Sequence, residues 1–353
     1  MTKILVTGAG GYIGSTLCEM LLEKGYSVVA LDKFLFGSDF IKDLEGKMTV
    51  IKSDIRNVEQ PAFVGVDGVC DLASLSAESF SDEYDLARFE INNLARSRVA
   101  LLAKKEKVSR YVLASSCSVY GLQKETVNEE SIINPLTMYA ACCRLAEQNT
   151  AVLSDKYFAT SALRESTNYG LKDFCATSLR QATVYGLSRK MRFELAINSM
   201  TLSAFRDNKM MIGGDGTQLR PFIHVRDTAG AFIKVLESEP ELVNNQIYNV
   251  GSNEQNYTML QLAEIVSKTL GREIPLEFVG KKDMRSYAVD FSKIKSIGYS
   301  TKYTVADGVK ELYKAMTTFK EEMDANPALS NGFYNDPRTQ TKKWYDHVKD
   351  EIL

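Results

Sequence analysis

The chain has 353 residues, enough for one large domain or two smaller ones with a sizeable buried core. A composition of 44% hydrophobic and 25% charged residues with only 7 prolines excludes a fibrous repeat and general disorder. A formal net charge of -2 and a pI near 5.9 give no broad positive field for nucleic acid, and no stretch approaches the roughly 20 apolar residues of a membrane span.

In chain order, residues 4–7, 28–31, 49–52, 68–72 and 111–114 are short β-rich runs. Between them, 12–24 and 84–105 carry apolar residues at spacings of three and four, the helical period. The alternation predicts an α/β fold, a Rossmann-type doubly wound parallel sheet with helices on both faces. A long helix is expected to begin near Met138. Past about residue 187 the pattern loosens, with strand-like runs at 222–225 and 247–250 and helices at 226–237 and 258–270, which predicts a smaller interleaved α/β domain. The expected division is 1–187 with 221–252 for the sheet domain, 188–220 with 253–323 for the smaller one, and a polar tail over 324–353 broken by Asn326-Pro327 and Asp336-Pro337.

Residues 156–171 (KYFATSALRESTNYGL) and 172–187 (KDFCATSLRQATVYGL) align without a gap, the mark of a local tandem duplication. Either copy could supply the strand after the long helix, and the sheet has room for one. Because the second copy runs directly into Ser188-Arg189-Lys190, the stretch 179–185 is expected to take that place.

Gly8-Ala9-Gly10-Gly11-Tyr12-Ile13-Gly14 follows a β-branched strand and opens a helix. In that context Gly8 permits a tight turn, Gly11 lets the backbone approach a pyrophosphate, and Gly14 allows close helix–strand packing, with the anion on the helix N-terminus. Asp32 closes the second strand at the distance where a carboxylate accepts from a ribose 2′-hydroxyl and repels a 2′-phosphate, so NAD is expected, with Lys33 in the same cofactor set. The six cysteines show no metal-ligand spacing and only His224 and His347 accompany them, so no metal is expected and the thiols are read as reduced. With no apolar leader, the expected location is cytoplasmic.

With these motifs the chain resembles the extended short-chain dehydrogenase/reductase family, in particular its nucleotide-sugar epimerases and dehydratases, over roughly residues 2–316. The resemblance rests on the glycine opening, Ser53-Asp54-Ile55, Leu72-Ala73-Ser74, Ser115-Ser116-Cys117-Ser118-Val119-Tyr120-Gly121 and Arg220-Pro221-Phe222-Ile223-His224-Val225. It implies that Asp54 and Ile55 hold adenine. It also implies that Leu72, Ala73, Ser74 and Asn92 approach the phosphates and nicotinamide ribose, with Ser115 in the cofactor shell and Thr183 and Val184 bordering the nicotinamide. Ser116 would bond the reacting sugar hydroxyl, Ser118 would lie close by, and Tyr139 would be the general acid/base.

The family places a lysine four residues after that tyrosine to lower its pKa and grip the ribose. This chain has Cys143 there, and Arg144, next on the helix, points about 100° away. Cys143 is read as a neutral filler, since nothing near it in sequence supplies a base.

Arg220 and Arg285 match positions that clamp the substrate pyrophosphate, a task suited to bidentate guanidinium groups, and Asn198 matches a segment that adds a polar contact. Cys117 and Ser118 stand where the 4,6-dehydratases carry Asp-Glu, which disfavours dehydration. The expected function is therefore NAD-dependent hydride transfer at a hydroxyl of a nucleotide-diphosphate sugar, with carbon 4 as the expected position, as a 4-epimerase or a 4-oxidase/4-ketoreductase. The alternative is a catalytically impaired NAD(H)-binding protein of the same fold. The resemblance also implies a homodimer formed through the helices that precede and contain Tyr139.

Overall fold

The computed structural model describes residues 2–35, 37–76, 85–154, 174–280 and 283–325. Seven strands form the central sheet: β1 (Lys3–Thr7), β2 (Ser27–Asp32), β3 (Thr49–Lys52), β4 (Gly68–Asp71), β5 (Arg110–Ser116), β6 (Cys175–Gln181) and, late in the chain, β10 (Gln246–Val250). Their spatial order is β10-β6-β5-β4-β1-β2-β3 and every pairing is parallel. The direction of growth reverses between β1 and β4, so their C-terminal ends border the crevice where doubly wound sheets hold ligands.

Alternation along the strands builds the layers. Ile4 and Val6 face one core with Leu17 and Phe232, while Leu5 faces the other with Val99 and Ala103. Both faces are therefore apolar, as a parallel sheet requires. Helices α1 (Tyr12–Glu23) and α6 (Val225–Glu237) cover the first face, α3 (Arg96–Lys105) covers the second, and α4 (Met138–Leu153) packs beside α3.

The remaining strands form smaller sheets. β7 (Thr183–Tyr185), β9 (Leu219–His224) and β11 (Asn256–Thr258) make one, and β8 (Met210–Gly213) pairs with β12 (Leu276–Val279) in the other. A third core gathers Ile197 and Met200 of α5 (Ala196–Asp207), Leu262 and Val266 of α8 (Met259–Leu270), Val309 of α9 (Val305–Ala325), and Phe222. A one-turn helix, α7 (Pro240–Val243), precedes β10. Among the described residues no helix is long and apolar enough to cross a membrane.

The structure departs from the sequence reading in the helix expected over 84–105. It is α2 (Asp85–Phe89), then a π-helical turn (Glu90–Ala95), then α3. The wide turn carries Asn92 and Asn93 into the interior, a tertiary demand that apolar periodicity does not record. Of the duplicated segments, the second supplies β6 and β7, joined by Ala182, whose N–H donates to the Val250 carbonyl. Copy one, at 156–171, lies outside the described residues, as does the expected tail beyond Ala325.

Candidate active site

Gly8 has a φ of +68°, and a Cβ there would stand 2.8 Å from the Ala73 nitrogen, so the loop lies directly against the end of β4. A Cβ on Gly14 would run into the Gly8 carbonyl oxygen; its absence lets α1 start immediately under the turn. No side chain caps α1 at Gly11. The first backbone N–H groups of the helix, at Tyr12 and Ile13, therefore point into the crevice as donors for an anion. The Tyr12 side chain turns elsewhere, donating to the Gly186 carbonyl at 2.5 Å and so tying the loop to the end of β7.

Asp32 accepts from the Gly10 N–H at 2.9 Å and the Phe34 N–H at 2.6 Å, and burial raises its pKa above the usual carboxylate value. Lys33 lies 3.2 Å from Asp54. Arg56 also grips Asp54, with Nη2 at 2.6 Å and Nε at 3.1 Å, and this pairing holds the acid well below the usual carboxylate range. Asp54 thus stands at the end of β3 with its carboxylate held by two cations. The Ile55 side chain is packed in the core.

The strand-end loop 72–76 is held from below. Leu72 and Ala73 N–H groups both donate to Thr7 Oγ1 at 3.1 Å. Asn92 clasps the Leu75 backbone, accepting from its N–H at 2.8 Å and donating to its carbonyl at 3.1 Å, and so shapes the loop. The Ser115 hydroxyl donates to Glu147 Oε1 of α4 at 2.6 Å.

At the end of β5, Ser116 Oγ accepts from the Ser118 N–H at 3.1 Å. Ser118 Oγ is buried and has no partner, and the same holds for Ser74 Oγ. Two hydroxyls left unsatisfied at the strand ends, together with the uncapped α1 terminus, fit a polar ligand lying across the crevice. Thr183 is half-buried at the start of β7, with Val184 packed in the main core beside it.

Tyr139 sits in the first turn of α4, whose N-cap is Thr137. Burial pushes the Tyr139 hydroxyl well above its ordinary pKa, and its hydrogen bond with the Cys143 thiol pushes the same way; Arg96 and Arg192 oppose both. Cys143 is itself buried, with its pKa pushed up to about 12, so it is a neutral thiol near pH 7. Arg144 is committed to Glu147 at 3.2 Å. The Cys117 thiol donates to the Arg180 carbonyl at 3.2 Å, and burial raises its pKa too.

α4 is anchored two turns below Tyr139. Arg180 of β6 meets Glu147 through Nε at 2.8 Å and Nη2 at 2.9 Å, and its Nη1 donates to Tyr120 Oη at 2.8 Å. This fully buried network fixes α4 against β5 and β6.

The two clamp arginines converge on one carboxylate that the sequence reading did not single out. Asp283 lies 2.9 Å from Arg220 Nη2 and 2.6 Å from Arg285 Nη2. Arg220 also donates through Nη1 to the Arg285 carbonyl and stacks over the Tyr287 ring at 5.2 Å. The Arg220–Asp283 approach is an ion pair without hydrogen-bond geometry, so Nη2 still has a proton to give.

Asn198 is fully buried, with Oδ1 accepting from Gly186 N–H at 3.0 Å and Nδ2 donating to Tyr12 Oη and the Arg192 carbonyl. The residue it supports, Arg192, bonds Ser76 Oγ at 2.8 Å and directs its charge at Tyr139. The sequence reading missed Arg192 and Asp283 because the contacts that bring them to the site, Arg192 with Ser76 and Asp283 with Arg220, join residues distant in the chain.

Comparison with known proteins agrees with this geometry. A model of the NAD dependent epimerase/dehydratase family matches residues 4–251. The UDP-glucose 4-epimerase of Bacillus subtilis (strain 168) is 27% identical over 316 residues, covering 85% of this chain and 92% of that protein. The UDP-glucuronic acid 4-epimerase of Bacillus cereus, solved with UDP-glucuronic acid and NAD, superposes with a TM-score of 0.76 at 25% identity, over 89% of this chain and 98% of that one. MoeE5, solved with UDP-glucose and NAD, gives a TM-score of 0.73 at 25% identity, over 88% and 97%. Matched over most of its length and carrying the glycine turn at the β1–β4 crevice, this chain belongs to the NAD dependent epimerase/dehydratase family.

Proposed function

We propose that the protein catalyses NAD-dependent hydride transfer at the carbon 4 hydroxyl of a nucleotide-diphosphate sugar, as a 4-epimerase or as an oxidase or reductase of the same carbon. The observation that supports this reading is Tyr139 in the first turn of α4, a helix anchored through Glu147 to Ser115 at the end of β5 and to Arg180 of β6, next to the strand end that carries Ser116. NAD, when bound, supplies the hydride acceptor. Its pyrophosphate would lie on the Tyr12 and Ile13 amides and its adenosine ribose at Asp32. Tyr139 removes the sugar hydroxyl proton, Ser116 and Ser118 orient that hydroxyl, and Arg220 and Arg285 exchange Asp283 for the substrate pyrophosphate. Removal of this proton by a positioned side chain contributes about 10²–10⁴-fold.

The test is a panel of UDP-sugars added to protein loaded with NAD, read as nicotinamide absorbance and as epimer formation. Turnover that Tyr139→Phe lowers at least about a hundredfold, with cofactor affinity retained, is the expected result. A cofactor that stays inert across the panel would sink the reading. One observation favours the second reading, a cofactor-binding protein without turnover: burial and the Cys143 thiol both hold the Tyr139 hydroxyl protonated. The same panel separates the two.

The proposed assembly is a homodimer through α3 and α4. Leu94 in the π-helical turn and Leu101 on α3, and Leu145 and Val152 on the neighbouring α4, are exposed apolar residues seven apart.

A further inference from the structure

Gln181 closes β6 and is only 6% exposed. Its Oε1 accepts no hydrogen bond among the described residues, and its Nε2 reaches the Leu179 carbonyl only at 3.4 Å. Turning the amide over would set its oxygen against that carbonyl, so Oε1 is the atom left without a donor. A buried acceptor left unpaired is costly, and a ligand that donates to it removes the cost.

Strand register fixes where this amide stands. Ser116, at the end of β5, is the pairing partner of Gln181, so the two side chains leave the same face of the sheet at adjacent strand ends. Leu179, two residues back, packs in the core under α1 and α6, whereas Arg180 between them turns to Glu147 of α4. Gln181 therefore lies on the face covered by α1, the helix whose first turn offers the Tyr12 and Ile13 amides.

In the sheet order β6-β5-β4-β1, each of the three strands on this side of β1 ends in an unsatisfied polar atom: Ser74 Oγ after β4, Ser118 Oγ after β5 and Oε1 of Gln181 on β6. Two strand spacings, about 10 Å, separate β4 from β6. A dinucleotide with its pyrophosphate at the N-terminus of α1 and its adenosine ribose at Asp32 of β2 runs its other half the opposite way, over β4 and β5 towards β6.

We infer that Gln181 binds the nicotinamide carboxamide of NAD, with Oε1 accepting from the carboxamide N–H and Nε2 exchanging its long contact with Leu179 for the carboxamide oxygen. Two primary amides pair donor to acceptor in both directions, which uses both polar atoms of this side chain. With its carboxamide held, the ring keeps one face towards the strand end that carries Ser116. This role concerns cofactor binding and does not depend on turnover.

The experiment is isothermal titration of the full chain, and of Gln181→Leu, with NAD, with the 3-acetylpyridine analogue of NAD and with ADP-ribose. The analogue keeps the carbonyl on the ring but carries a methyl where the carboxamide has its N–H groups, and ADP-ribose has no ring. The parent is expected to prefer NAD to the analogue about tenfold. Gln181→Leu, close in volume and without polar atoms, is expected to bind NAD about tenfold more weakly, to lose the preference, and to bind ADP-ribose as the parent does.

A parent that binds NAD and the analogue alike overturns the inference without any variant, and this arm decides should Gln181→Leu not fold. A Gln181→Leu protein that keeps the preference, or that weakens on ADP-ribose as much as on NAD, also overturns it; Oε1 then meets an interior water only. The expected binding pattern in a protein inert towards every nucleotide sugar would refute the proposed turnover and leave the role of Gln181 standing.

Discussion

At the scale of single residues, the proposed chemistry turns on how readily the Tyr139 phenol loses its proton. Desolvation dominates at Tyr139, and the two arginines near it offset only part of the effect. The raised pKa fixes the sign of the pH dependence. Below its pKa a group's deprotonated fraction grows tenfold per pH unit, so kcat is expected to climb about tenfold per unit from pH 7 towards pH 9. A pH–rate profile checks this, and a flat profile over that range would assign the limiting step elsewhere. The proposed substrate clamp shows the same economy: Arg220 and Arg285 share Asp283, so in the proposed role a substrate pyrophosphate would replace an existing anion.

At the scale of elements, the junction of β1 with α1 carries the greatest constraint. The Gly14 position is set by the Gly8 carbonyl, a backbone atom that cannot swing aside. Gly14→Ala is therefore expected to cost about 1–3 kcal/mol as overpacking and to weaken NAD binding in parallel. Urea unfolding and a cofactor titration measure the two losses. The π-helical turn is a second constrained element. It turns Asn92 inward to clasp Leu75, so one widened turn shapes the loop after β4.

At the scale of the whole molecule, distant strands meet to hold the site. β6 comes from the second copy of the duplicated segment, and it brings Arg180 against Glu147 and Tyr120. β10, from beyond residue 245, pairs with β6 and adds Asn249, whose Oδ1 accepts from Tyr120 Oη at 2.8 Å. The exposed apolar residues of α3 and α4 lead to a prediction at this scale. Leu101→Glu combined with Val152→Glu is expected to halve the mass seen by analytical ultracentrifugation while leaving the fold intact. A parent that sediments as a monomer would refute the proposed dimer.

Much of this was legible before any coordinates. Strand alternation, the helical period of α1 and the glycine spacing are local properties, and local sterics and burial determine them within a few residues, so the Rossmann-type sheet and its cofactor turn could be read from the chain. The missing lysine at Cys143 could be read in the same way. Tertiary structure alone decided the rest. Whether Asp54, Asn92, Ser115 and Asn198 face a ligand or a neighbour depends on partners two to more than a hundred residues away. The physical reason is that electrostatic and hydrogen-bond energies depend on distance in space, which sequence separation does not encode.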